Sequence, residues 1–193
     1  ILKQNDIPYF LDYKRHVTDN PFIAAINGAL GIIENNYSYD SVLGFLRTGM
    51  SGMEREDIDL LDNYCVAVGI RGRAKWHEPW IRKFRGTVNN TDLDKLNSLR
   101  TMITDMLDPL EEVIKSKESD VADMVKALYE FLVREDMEKK VSVLNDSEYT
   151  GDEYTQLYKK VIEVLDKMYA LLGSEKVGIK EFNKILASGF QEI

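Results

Sequence analysis

Residues 51–80, SGMEREDIDLLDNYCVAVGIRGRAKWHEPW, carry the clearest helix signal of the chain in their first half. Ser51 and Glu54 have the spacing of a capping box, in which both side chains accept hydrogen bonds from backbone N–H groups of the first turn. The apolar residues that follow recur at intervals of three and four, as on one face of a helix: Ile58, Leu61, Cys65 and Val68. Gly69 is the expected end of this helix, because glycine readily adopts the left-handed conformation found after a last helical turn.

A basic segment, residues 69–85, follows this predicted helix. It contains six basic residues and one acidic residue, a net charge of +5 in a chain whose net charge is −8. Basic side chains interleaved with aromatic ones can neutralise phosphates and stack on bases. The residues that we predict to contact DNA are Arg71, Arg73, Lys75, Trp76, Arg82, Lys83 and Arg85.

The same segment also has a purely structural interpretation. Trp76 and Trp80 can be anchors of the hydrophobic core, and the arginines can pair with the many carboxylates of the chain. Residue types alone leave both interpretations open, since a short charge pattern is only a hypothesis until its structural context is known.

Length and composition indicate one folded domain. The chain has 193 residues, of which 44% are hydrophobic and 30% are charged, and this balance argues against disorder. A sequence pI near 4.9 excludes a generally basic nucleic-acid binder, so any DNA contact must be local. The single cysteine, Cys65, excludes an internal disulfide framework, and we expect it to be buried.

The pattern along the remaining chain is helical, without long strand-like alternation. We predict an all-α fold of about seven helices, with a short extended segment, IPYFLD, near the N-terminus. The expected caps are Asn20, Ser38, Asn90 or Thr91, and Ser119. Pro109 is expected to end or kink its helix, Gly28 and Gly31 can each permit close approach of another element, and Gly189 is expected behind the last helix.

Motifs for catalysis and for metal binding are missing from the sequence. There is no glycine-rich phosphate loop, and His16, His77 and Cys65 lack the spacing of a zinc site. Residues 145–151 lack the glycine of a calcium loop, and no pair of carboxylates is singled out as general acid and base. We therefore predict no catalytic residue, no cofactor and no metal ligand in this chain.

No apolar run approaches the ~20 residues that span a bilayer, and no secretory signal opens the chain. We therefore expect no membrane partner and a cytoplasmic location. The chain begins with ILKQND rather than with Met, and we interpret it as a fragment of a larger protein.

Several segments resemble the B subunit of the AddAB (RexAB) helicase–nuclease. They are IPYFLDYKR, NPFIAAI, REDIDLLDNYCVAVGIRGRAKW, LNSLRTMITDMLDPLEE, VKALYEFL and FNKILASGF. IPYFLD is also similar to the strand of UvrD-type helicases after which a helical 2B domain is inserted into motor domain 2A. The resemblance spans nearly the whole chain and is strongest over residues 55–76.

This resemblance implies a domain division and a parent enzyme. Residues 1–15 would be the end of a helix and an extended segment of a neighbouring motor-like domain, and residues 16–193 a helical accessory domain of the 2B type. The parent would be an ATP-dependent helicase and exodeoxyribonuclease that works with an A subunit on DNA ends during recombinational repair. The parent would use ATP, Mg²⁺ and an iron–sulfur cluster. One cysteine cannot hold such a cluster, and the chain contains no ATP-binding or nuclease motif. None of these activities is therefore assigned to a residue of this chain.

The resemblance also bears on the basic segment. In UvrD-type relatives a loop beginning Gly-Ile-Gly touches duplex DNA, and Gly69-Ile70-Arg71-Gly72 is similar except at its third residue. The leading hypothesis is a non-catalytic accessory domain that contacts DNA; it predicts the basic residues on one exposed face, with Trp76 or Trp80 partly exposed. The alternative is a helical protein-interaction or scaffold module without DNA contact, with the basic segment folded against acidic helices and an apolar exposed patch.

Overall fold

All regular structure in the described part of the chain is helical. The computed structural model describes residues 20–83, 90–144 and 153–193, and within these ranges it contains nine α-helices and no strand. The predicted all-α class is therefore confirmed. The predicted extended segment, the boundary between residues 15 and 16, Arg85 and the 145–151 segment all lie outside the described residues.

Between two and twelve residues separate consecutive helices. Their bounds are α1 Pro21–Glu34, α2 Tyr39–Leu46, α3 Arg55–Val68, α4 Arg73–His77, α5 Asn90–Lys115, α6 Val121–Arg134, α7 Met137–Leu144, α8 Glu153–Leu172 and α9 Ile179–Gln191. Seven of them correspond to predicted helices. Helix α4 was not predicted, because five residues are too few for a periodic apolar stripe to be recognised. Helix α7 was not predicted because the sequence pattern after Met137 is not clearly helical.

Three helix ends form as their residues predict. The side chain of Asn20 accepts a hydrogen bond from the backbone N–H of Phe22, with Pro21 at the first helical position of α1. Ser38 caps α2 by accepting from the N–H of Ser41. Gly69 ends α3 in the left-handed conformation, with a φ angle of 74°.

Three predicted caps are wrong. Asn90 and Thr91, the two candidates for the cap of α5, both lie inside that helix. Helix α3 begins at Arg55 rather than at Ser51, because Gly52 adopts a φ angle of 76° and turns the chain before the helix. Ser51 is buried and accepts instead from the N–H of Met53. At α6 the cap is Asp120 and not Ser119, and Asp120 forms a reciprocal capping box with Asp123.

Pro109 lies inside α5, which continues to Lys115, so the proline does not end the helix. Gly28 permits the predicted close approach, since a β-carbon there would lie 3.2 Å from the Cα atom of Phe45. Gly31 does not, because the nearest atom to its missing β-carbon is 4.0 Å away. Gly189 lies inside α9 and not behind it, at the crossing with α8.

A single buried cluster joins the helices. Helix α5 packs on α6, α6 packs on α8, α1 packs on α2, and α9 lies against both α1 and α8. Helix α4 packs on α5, which places the described part of the basic segment at the surface of this core. The largest aromatic side chains of the cluster include Trp76, Phe22, Phe45, Phe131 and Phe182.

Candidate nucleic-acid interface

The basic segment begins at the tight connection between α3 and α4. Ile70 is buried and anchors this connection, whereas Arg71 is exposed. Gly72 has a φ angle of 82°, and its N–H donates a hydrogen bond to the carbonyl of Tyr37 at 3.1 Å. The connection is therefore fixed to the loop between α1 and α2 before α4 begins.

Both tryptophans of the segment are buried, so the prediction of a partly exposed Trp76 or Trp80 is wrong. Their exposed fractions are 0% and 4%, and their rings meet edge to face with centroids 5.3 Å apart. Trp80 also stacks on Tyr64, with centroids 4.9 Å apart. Because the indole of Trp76 is covered, it is not available for stacking on a base in this conformation.

Two polar residues of α5 hold the tryptophans in place. The side chain of Asn97 accepts from the N–H of Trp80 at 2.8 Å and donates to its carbonyl at 2.9 Å. Arg100 donates to the carbonyl of Trp76 at 2.8 Å. Nothing in the sequence identified Asn97 and Arg100, because their partners lie on another element and no local spacing connects them.

Arg73 points toward a buried carboxylate. Its Nε lies 2.8 Å from Oε2 of Glu111, and the residue Glu111 is only 3% exposed. The hydroxyl of Tyr37 donates to the same oxygen at 3.1 Å, and Nζ of Lys115 lies 2.7 Å from Oε1. Arg73 is thus a structural partner of α5, as the interpretation of arginines pairing with the chain's carboxylates predicts.

The ionisation of this cluster follows from its contacts. Burial alone would raise the pKa of Glu111, but the hydrogen bonds from Lys115 and Arg73 outweigh burial, and the pKa lies below its ordinary value. The pKa of Tyr37 is raised, first by burial and then by the charge of Glu111. Glu111 is therefore a carboxylate at neutral pH and Tyr37 a neutral hydrogen-bond donor.

His77, Asp108 and Glu111 bring three possible metal-ligand atoms within 4.8 Å of one another. Nδ1 of His77 lies 2.8 Å from the carbonyl of Arg73, and Nε2 lies 2.8 Å from Oδ1 of Asp108. Because Arg73 and Lys115 already balance the two carboxylates, the cluster is accounted for without a cation. The sequence analysis did not identify this cluster; the spacing of three between Asp108 and Glu111, which places both on one helix face, is a local signal that could have indicated it.

The other described cations of the segment lie at the surface. Lys75 keeps 57% of its side chain exposed and pairs with Glu78 at 3.0 Å, a contact that water screens strongly. Arg82 and Lys83 are exposed, and the carbonyl of Arg82 accepts from the hydroxyl of Tyr64 at 3.0 Å. Whether all these cations share one face stays a prediction, and Arg85 is outside the described residues.

Apolar side chains are also exposed near this surface. Ile81 has an exposed fraction of 81% and Val66, on α3, one of 65%.

Across the described helices, none combines the length and apolar character needed to cross a bilayer.

No protein-family model matches the chain. Three similar curated proteins are each named as the B subunit of an ATP-dependent helicase/deoxyribonuclease. The one from Lachnoclostridium phytofermentans is 34% identical over 195 residues, covering 96% of the chain. Those from Clostridium novyi and Clostridium acetobutylicum are 34% and 32% identical over 198 and 208 residues, each covering 100% of the chain. The chain spans 17%, 17% and 18% of the length of these three relatives. Over nearly its whole length this chain is therefore homologous to one segment of the B subunit of the ATP-dependent helicase/deoxyribonuclease, the family that its sequence resembles.

Proposed function

We propose that this chain is a non-catalytic accessory domain within the B subunit of an ATP-dependent helicase/deoxyribonuclease, and that it contacts DNA through the exposed cations of residues 71–83. In this proposal the ATP-dependent unwinding and the DNA cleavage belong to the parent protein, working with an A subunit. ATP, Mg²⁺ and an iron–sulfur cluster would be bound elsewhere in that parent. The domain's own part is to hold DNA.

The observation that carries the proposal is the exposure of Arg71, Lys75, Arg82 and Lys83 in one short stretch of an acidic chain. An overall charge of −8 repels DNA, so a local cluster of cations is the surface that a phosphate backbone would approach. The buried Trp76, and the pairing of Arg73 with the buried Glu111, anchor this part of the segment to α5.

A specific observation favours a second function, contact with protein. Ile81 lies within the basic segment and is 81% exposed, and Val66 is 65% exposed on α3. A contiguous exposed apolar patch marks a surface that another protein covers, and this second function predicts that Ile81 and Val66 belong to one such patch. The A subunit, or another part of the parent, would be the partner.

Fluorescence anisotropy with a labelled duplex that carries a single-stranded tail tests DNA contact. The test variant changes Arg71, Lys75 and Arg82 to alanine, and the matched control changes Lys159, Lys167 and Lys180, three exposed lysines of α8 and α9. Both variants lose the same charge. We expect wild type and control to bind at low salt, with affinity falling steeply as salt rises, and the test variant to bind far more weakly.

The salt dependence gives a second readout. Each phosphate contact that is lost should reduce the slope of log affinity against log salt by roughly 0.9 for duplex DNA. Equal losses in the test and control variants would contradict a local DNA surface. Absence of binding by the folded wild-type chain at low salt would leave the protein-contact function as the better explanation.

A further inference from the structure

A polar cavity lies where the loop between α1 and α2 meets the connection between α3 and α4. Its volume is about 410 Å³, within the range of sites that bind small ligands. Asn36, Tyr39 and Asp40 line it from one side, and Arg71 and Gly72 line it from the other. It therefore joins one of the exposed cations of the basic segment to polar groups that lie far from it in the sequence.

The two walls of this cavity are fixed relative to each other. The N–H of Gly72 donates to the carbonyl of Tyr37, and Tyr37 itself is fully buried with its hydroxyl on Glu111. Asn36 and Tyr37 have φ angles of 52° and 56°, a left-handed conformation that is uncommon for residues other than glycine. They form the C-terminal cap of α1, in which the N–H of Tyr37 donates to the carbonyl of Ile32 and the N–H of Asn36 to that of Ile33, and this cap fixes one wall of the cavity.

The side chains of Arg71 and Asn36 are available to a ligand. Within the described residues, the structure records no hydrogen bond or ion pair for either side chain, whereas Arg73 and Arg100 are committed to internal partners. The half-buried ring of Tyr39 is held at the cavity by a hydrogen bond from its hydroxyl to Asp62. The cavity thus presents a free guanidinium, a free carboxamide, a carboxylate and an aromatic ring.

This combination matches the parts of a nucleotide. A guanidinium binds a phosphate, and an aromatic ring stacks on a base. The carboxamide of Asn36 can both donate to and accept from a base edge, and the carboxylate of Asp40 can accept from an exocyclic amino group. Stacking on the ring of Tyr39 requires a base that has left the stack of a duplex, as the splayed bases of single strands have. Building on the proposed function, we infer that the cavity binds one unpaired nucleotide of DNA, with preference for a base that carries an amino group.

The test compares fluorescently labelled single strands of oligo(dA), oligo(dC) and oligo(dT) with a blunt duplex, using the whole chain. Asn36→Gly removes the carboxamide while glycine tolerates the left-handed backbone. Asp40→Asn removes the acceptor charge with little change in size. Thermal unfolding of each variant checks that the fold is retained.

We expect wild type to bind oligo(dA) and oligo(dC) more tightly than oligo(dT), which lacks an amino group. Asn36→Gly should weaken binding of oligo(dA) and oligo(dC) by at least about fivefold and leave blunt-duplex affinity unchanged. Asp40→Asn should abolish the preference over oligo(dT), and this readout serves if Asn36→Gly fails to fold.

Two outcomes would overturn the inference, and they differ in what else they remove. DNA binding by wild type that is insensitive to both substitutions and to base identity refutes the nucleotide site alone and leaves the proposed DNA surface intact. Absence of all DNA binding by the folded wild-type chain refutes the proposed function, and the nucleotide site falls with it.

Discussion

Replacing Arg73 with alanine separates a structural cation from those that we assign to DNA. The substitution removes a hydrogen bond of 2.8 Å to Glu111, a residue that is 3% exposed. A hydrogen bond to a charged group contributes about 1.5–3 kcal/mol. The side chain of Arg73 is 46% exposed and Lys115 still compensates Glu111, so the value must be reduced for solvent screening.

We therefore expect Arg73→Ala to lower the free energy of unfolding by about 1–2 kcal/mol. In a chain of this size, each kcal/mol lowers the melting temperature by roughly 2–4 °C. The matched control is Lys75→Ala, which removes an exposed pair with Glu78 and should change stability by no more than about 0.5 kcal/mol. Denaturant unfolding followed by circular dichroism measures both values.

A double-mutant cycle assigns the effect to the pair. Glu111→Gln keeps the shape of the side chain and removes its charge, and a coupling free energy of about 1 kcal/mol with Arg73→Ala is expected. Strictly additive effects, or a melting temperature for Arg73→Ala equal to that of wild type, would refute the structural role. In the anisotropy assay, Arg73→Ala should weaken DNA binding less than Arg71→Ala does.

Three further predictions follow from buried groups. The pKa of Glu111 is lower in the folded chain than in the unfolded one. Its contribution to stability is therefore fully present above the unfolded pKa of about 4.3 and is lost as pH falls through the folded pKa. The unfolding curves of wild type and Glu111→Gln should converge in that acidic range. Burial raises the pKa of the Cys65 thiol to about 12, so a thiol reagent should react with it at neutral pH only after unfolding, and fast labelling of the native chain would contradict its burial. Gly189→Ala should lower the free energy of unfolding by about 1 kcal/mol, because the new β-carbon would lie 2.5 Å from a methyl of the stiff side chain of Val164. The control Gly31→Ala, whose nearest neighbouring atom is 4.0 Å away, should stabilise the helix. Equal shifts of the unfolding midpoint in the two variants would contradict the close crossing of α8 and α9.

Helix ends were predictable where a few adjacent residues determine them. Asn20 with Pro21, Ser38 and Gly69 each act through their own backbone neighbours, and each occupies the predicted position. Ser51 has equally good spacing with Glu54, yet the chain turns at Gly52 and buries Ser51 before the helix. A cap predicted from spacing is therefore lost when tertiary burial fixes the preceding turn.

The orientation of the tryptophans was beyond local sequence. Trp80 is held by Asn97, which lies 17 residues away, and Trp76 by Arg100, which lies 24 residues away. The sequence shows that an aromatic residue lies among cations, but it does not show whether that residue faces the core or the solvent. The packing of α4 on α5 supplies that information, and α4 itself has too few residues to show a periodic apolar face.

The charge of the basic segment overstates the charge that it can present to DNA. Moving Arg73 toward a phosphate would leave the buried Glu111 with one fewer partner, at a cost of about the 1–2 kcal/mol expected for Arg73→Ala. If the segment contacts DNA as proposed, we expect Arg73 to keep its contact with Glu111 of α5, which already balances its positive charge. The cations left for phosphates are those on the surface, of which Arg71 stands at the mouth of a polar cavity with no internal partner recorded in the described residues. For this reason we expect the affinity of the segment for DNA to fall more on loss of Arg71 than the number of its basic residues alone would suggest.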